Sequence, residues 1–88
     1  MTPPTLTLVV SSSCHLCEDA RRSLEELASE FRLDVRLVDA ASPEGWALLA
    51  RYRAGLVPLA ILDGEWFSAG RLPRRKLRKA LEARQVPA

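Results

Sequence analysis

The sequence predicts an α/β fold with the element order β-α-β-α-β-β-α, a four-stranded mixed sheet carrying helices on both faces. Three observations lead there. Apolar spacing switches between the two-residue step of strands and the three- and four-residue steps of helices. Helix-start and turn residues fall at the switches. The chain, at 88 residues, has room for one such unit and no second domain.

Thr5 to Val10 (T-L-T-L-V-V) is short and β-branched, and the Ser11-Ser12-Ser13 cluster ends it as a buried strand running into a loop. From Cys14 the period changes, and Leu16, Ala20, Leu24, Leu27, Ala28 and Phe31 lie on one helical face. Ser13 is the expected N-cap, with Glu18 and Asp19 near the first turn, where the helix dipole favours acids. A second strand follows, with Leu33, Val35 and Leu37 alternating against Asp34 and Arg36 before Val38-Asp39. Ser42-Pro43-Glu44 starts the next helix. Its inner face is expected at Trp46, Leu49 and Ala50, and Gly55 is the expected stop. Pro58 opens a Leu59-Ala60-Ile61-Leu62 strand, Asp63-Gly64 makes a two-residue hairpin turn, and Glu65 to Ser68 returns as its partner. Pro73 then begins a last helix with Leu77, Ala80 and Leu81 inward. Parallel βαβ pairing of the first half and an antiparallel hairpin in the second give the mixed sheet. One domain, residues 1–88, is expected.

Composition excludes several classes. A hydrophobic fraction of 48% and a charged fraction of 27% fit a globular chain and argue against disorder. The longest apolar run, Leu59 to Leu62, is far below the roughly 20 residues of a membrane helix. No basic residue precedes Leu8-Val9-Val10, so no secretory signal is expected, and the chain reads as a cytoplasmic monomer. The net charge of +2 is uneven. Residues 1–70 hold six cations and ten acids, whereas residues 71–88 hold seven cations and one acid, so the last helix is locally basic.

Cys14-His15-Leu16-Cys17 lies where a strand meets a helix N-terminus. Residues three apart share a helical face, so the two sulfurs can meet. Helical Cβ atoms at that spacing are about 5–6 Å apart and a relaxed disulfide wants about 3.8 Å. Such a pair makes a poor staple and a good redox switch, with an inert structural pair as the alternative. The helix terminus offers unpaired N–H groups and partial positive charge to Cys14, which stabilises thiolate over thiol. Cys14 is therefore the expected nucleophile, and Cys17, deeper in the turn, the resolving thiol of a redox-active Cys14–Cys17 disulfide. His15, the only histidine, either tunes the Cys14 pKa or is an exposed spectator. Zinc needs about four ligands, and two thiols with one intervening imidazole do not supply them, so no metal is expected. Metal held by a cysteine-bridged dimer stands as a third alternative.

The strand-C-x-x-C-helix start, the Val57-Pro58 pair before the third strand and the Asp63-Gly64 hairpin together resemble the glutaredoxin branch of the thioredoxin superfamily. The resemblance spans nearly the whole chain. The run Cys14 to Ala20 (C-H-L-C-E-D-A) is similar to a bacterial glutaredoxin-like subgroup rather than to the C-P-Y-C enzymes. It implies a thioredoxin-like, glutaredoxin-type fold and dithiol–disulfide oxidoreductase activity on protein or small-molecule disulfides. It also implies that Pro58 is cis and faces the disulfide, and that Val57 and Pro58 shape the substrate groove. Local sequence alone favours trans, since only about 5–6% of X-Pro bonds in folded proteins are cis. No tightly bound cofactor is expected. Glutathione is a candidate reductant whose usual binding motif is incomplete here: Ser11-Ser12-Ser13 stands where a basic residue is usual, and Ser68 to Pro73 holds one glycine and no acid. The Trp66 to Arg71 stretch resembles redoxins that are recharged by thioredoxin reductase and feed ribonucleotide reductase. That is the alternative function, beside a low-turnover thiol sensing or binding module.

Arg74, Arg75 and Lys76 lie in the first turn of the last helix, where the dipole disfavours cations by roughly 0.3–1 kcal/mol each, and Arg71 stands just before it. They are either a solvated face or a dock for an anion or acidic partner. No recognition-helix or aromatic-interleaved pattern points to nucleic acid. Trp46 and Trp66 are expected in the core or on the sheet face. The expected partners are a disulfide-bearing protein or glutathione-like substrate and a reductase, with no membrane.

Overall fold

The computed structural model describes residues 2–84. The expected domain span of 1–88 thus includes Met1 and residues 85–88, which lie outside the described residues. The elements are β1 (Thr5–Val10), α1 (His15–Glu30), β2 (Asp34–Asp39), α2 (Pro43–Arg51), β3 (Leu59–Leu62), β4 (Glu65–Ala69) and α3 (Arg74–Arg84). The sheet order is β2-β1-β3-β4, with β1 parallel to β2 and antiparallel to β3, and β3 antiparallel to β4. The expected order and mixed four-stranded sheet are therefore present.

Alternation along the strands builds two layers. Leu6, Leu8, Ala60, Leu62 and Phe67 pack with Ala20, Leu24, Leu27 and Phe31 of α1 and with Leu77 and Leu81 of α3. Val9, Val38, Leu59 and Ile61 face the other way, against Leu48, Leu49 and Tyr52. Each fully buried leucine is worth about 1.5–3 kcal/mol, and such residues supply most of the cohesion of so small a chain. The hairpin is as expected: Asp63 (φ 51°) and Gly64 (φ 83°) form a turn with two left-handed residues. Asp63 ties it to the start of β1 through Thr5 N–H donating to its carboxylate at 2.9 Å and its own N–H donating to Thr5 O at 2.9 Å.

Several expectations are corrected. Cys14 replaces Ser13 as N-cap of α1; Ser13 instead takes a left-handed turn conformation (φ 53°). Leu16 and Ala28, assigned inward by periodicity, are exposed, because α1 buries a narrower stripe than its apolar residues define. Val35 and Leu37 are exposed at 38% and 47%, since β2 is an edge strand that α1 overhangs only partly. On α2, Ser42 caps as expected, its Oγ accepting from Gly45 N–H at 3.0 Å, but the inner face is Gly45, Leu48, Leu49 and Tyr52. Trp46 is 72% exposed and Ala50 is exposed. Gly55 does not end α2: the helix closes at Tyr52 with Arg53 in the left-handed region (φ 51°). Trp66 is also exposed, on β4 near the hairpin turn, at the opposite end of the sheet from Cys14.

Among the described residues no helix is long and apolar enough to cross a membrane.

Candidate active site

The geometry starts from β1. It delivers the chain through residues 11–13 to Cys14, which is extended (φ −124°, ψ 109°) and sits one residue before α1. A cap residue in that conformation aims its side chain at the open N–H groups of the first turn. Here the side-chain acceptor is a sulfur: Cys14 Sγ accepts from Cys17 N–H at 3.1 Å, while Cys14 O accepts from Glu18 N–H at 3.1 Å. Cys14 and Cys17 are joined as a disulfide with Cα atoms 5.2 Å apart. Cys14 is partly exposed, whereas Cys17 is buried at 2%. One sulfur is thus presented to solvent and the other held under it. His15, first residue of α1, is exposed.

The sheet register brings the second component to the same end. Val9 pairs with Leu59, so the chain before β3 lies beside the chain leaving β1. The Val57-Pro58 bond is cis, as the family resemblance implies and local sequence alone does not. Pro58 is fully buried, and its carbonyl accepts from Gly70 N–H at 3.0 Å, which carries the end of β4 to the site. Gly70 is left-handed (φ 91°), and a Cβ there would lie 3.4 Å from Leu56 Cδ1. Leu56 itself is exposed at 63%. Leu16, between the cysteines, and Leu56, two residues before the proline, form an exposed apolar contribution that sequence reasoning missed. Their sequence neighbours were the available signal; their exposure was not readable.

The basic residues divide. Arg74 is drawn into an ion pair with Glu26 of α1, and Arg78 pairs with Glu30 at 2.7 Å. Arg71, Arg75 and Lys76, together with the paired Arg74, line an open concavity of ≈ 660 Å³ with Asp19, Ser23, Leu72 and Pro73 between the starts of α1 and α3. Arg71 directly follows Gly70 and so joins this concavity to the proline loop. Among the described residues no group of three His, Cys, Asp or Glu side chains comes together as a metal would require.

Comparison with known proteins agrees with this geometry. Residues 5–82 match a family model described as "Glutaredoxin-like domain (DUF836)". No curated protein matches the sequence. Among solved structures, a mutant thioredoxin from Halobacterium salinarum NRC-1 superposes with a TM-score of 0.72 at 24% identity, over 93% of this chain and 74% of that one. A thioredoxin-like protein from Clostridium perfringens gives 0.72 at 15% identity, covering 92% and 70%. Oxidised thioredoxin O2 from Arabidopsis thaliana gives 0.70 at 14% identity, covering 92% and 74%. At these identities the structural likeness speaks for the fold.

Proposed function

Since the chain belongs to the glutaredoxin-like domain (DUF836) family, we propose that it is a dithiol–disulfide oxidoreductase in which Cys14 attacks and Cys17 resolves. Its thioredoxin-like fold with a close cysteine pair is a framework for thiol redox chemistry. In the reductive direction, the Cys14 thiolate attacks one sulfur of a substrate disulfide, forming a mixed disulfide and expelling the other sulfur as a thiolate that takes up a proton. Cys17, deprotonated, attacks Cys14 Sγ, releases the second substrate thiolate and closes the Cys14–Cys17 disulfide. Two electrons pass to the substrate, and an external thiol, glutathione or a reductase dithiol, restores the pair.

The observation that carries this reading is the 3.1 Å N–H contact to Cys14 Sγ at the origin of a 16-residue helix. Once the disulfide is reduced, a donor and the positive end of the dipole both favour the ionised sulfur over the thiol. Alkylation of the reduced protein with iodoacetamide, followed across pH, tests it. The expected result is rapid modification of Cys14 well below neutral-to-alkaline pH, with Cys17 slow throughout. Titration of Cys14 like free cysteine would remove the basis of the proposal.

Val57 and Pro58 shape the groove beside the disulfide, and His15 lies on its exposed rim. The concavity at Arg71 and Arg75 steers anionic or acidic disulfides toward it, through a field that salt screens over about 8–10 Å. The test compares an anionic aromatic disulfide with uncharged hydroxyethyl disulfide. In the Arg71→Glu/Arg75→Glu variant the anionic-to-neutral ratio of kcat/KM should fall about tenfold at low ionic strength and recover in high salt. An unchanged ratio would leave the patch a solvated face.

A further inference from the structure

We propose that two copies of this chain pair through the open edges of β2, antiparallel and centred on Val35, to form a two-fold dimer in place of the expected monomer. The inference is independent of the thiol chemistry.

β2 is an edge strand, and its hydrogen-bond phase is fixed by its inner neighbour. Asp34 N–H donates to Pro4 O at 3.0 Å and Ala40 N–H to Val10 O at 2.7 Å, so even-numbered residues bond inward to β1. The N–H and C=O groups of Val35 and Leu37 therefore point to the free edge. Farther along, Asp39 O is already taken by Ser42 N–H at 3.0 Å and Ser42 Oγ at 2.6 Å. The open stretch ends at Leu37.

An antiparallel partner must then match odd residues to odd residues within 33–37. Centring on Val35 does so, placing Val35 opposite the same residue of the second copy and Leu33 opposite Leu37. The same register sets Asp34 against Arg36 twice, once on each side of the axis, in the close non-hydrogen-bonded positions where opposite charges stabilise a sheet. Shifting the centre to residue 36 would oppose two arginines. Arg36 already lies with Glu44 at 2.5 Å, so the incoming Asp34 would extend an existing ion pair.

The apolar surface agrees. Val35 and Leu37, half exposed, line a groove with Leu24, Ala28, Arg21 and Glu25 of α1. Ala28, Val35 and Leu37 are all positions where sequence periodicity calls for burial and the single chain withholds it. A second β2, with its own Val35 and Leu37 on the same face, covers them. The other sheet edge is blunted: β4 carries a register irregularity opposite Ala60 and Ile61. Because β1 runs parallel to β2, the axis leaves the two disulfides at opposite, open ends.

Sedimentation equilibrium over a concentration series, with amide hydrogen exchange, tests the pairing on the full chain. The expected result is a monomer–dimer equilibrium in which the Val35 and Leu37 amides become protected as concentration rises. Asp34→Arg should weaken the dimer by about tenfold, and Asp34→Arg/Arg36→Asp, which exchanges the charges, should recover part of that loss, the remainder reflecting the ion pair with Glu44 that Arg36→Asp gives up. Val35→Lys should leave a folded monomer by circular dichroism. A wild-type chain monomeric into the millimolar range would overturn the proposal. So would a dimer indifferent to the single change Asp34→Arg and to Val35→Lys, because the contact would then lie elsewhere.

Discussion

Replacing Cys14 by serine should lower disulfide-reductase turnover by more than about a thousandfold while leaving the fold intact, because a hydroxyl at neutral pH is not an ionised nucleophile. The position makes this separation clean. Cys14 is the N-cap of α1, its sulfur accepting the Cys17 N–H, and serine is among the preferred residues for that role. The cap survives the change and only the chemistry is lost. Cys17→Ser should behave differently. Attack by Cys14 remains, but the resolving thiol is gone, so the protein should accumulate a mixed disulfide with substrate, seen as a mass increment removed by dithiothreitol. Cys17 is buried, and a hydroxyl there without a partner costs about 1–3 kcal/mol, so both variants belong in one assay well below their thermal midpoints. Full turnover by the Cys14 variant would end the proposed mechanism. A Cys17 variant that never forms an adduct would mean that Cys14 is not the attacking sulfur.

The parts of the site legible in the sequence were those written in short-range chemistry. The Cys14–Cys17 spacing, the strand before it and the helix after it are local, and the structure brings them together as the pattern implied. The two-residue turn at Asp63-Gly64 was legible because few residue pairs tolerate two left-handed conformations. What failed were statements about which side of an element meets the rest of the chain. Val35 and Leu37 alternate as a buried strand should, yet exposure depends on how far α1 reaches over the sheet edge, and no local pattern encodes that. The capping role also moved by one residue, since Ser13 is the better cap chemically but is spent in the left-handed turn that aims Cys14.

The orientation of α2 is the sharpest case. Hydropathy makes Trp46 its natural inner residue, whereas the structure turns Gly45 to the sheet and Trp46 to solvent. At about 100° per residue, choosing Gly45 places Leu48, Leu49 and Tyr52 inward at steps of three, four and seven. A glycine carries no hydropathy signal, so the wheel was anchored on the wrong residue. Its lack of a side chain is what lets the start of α2 rest on the backbone leaving β2.

That contact gives the largest expected effect on stability. A Cβ at position 45 would lie 2.1 Å from Asp39 O and 2.9 Å from Ala40 Cα. Neither can retreat freely: Asp39 O accepts from Ser42 N–H and Oγ, and Ala40 N–H donates to Val10 O. Helix propensity alone favours Gly45→Ala by about 0.8–1 kcal/mol. The clash should reverse that sign and destabilise the protein by about 3 kcal/mol or more, read as a shift in urea midpoint. Trp46→Ala, on the exposed neighbour, should stay within about 0.5 kcal/mol of the parent. Gly45→Ala with parent stability or better would mean that α2 does not pack on this face. The strain also has a route to the chemistry, because Asp39 pairs with Val10, four residues before the attacking sulfur. Where the variant still folds, pushing α2 away must therefore pull on the end of β1 that sets where Cys14 stands.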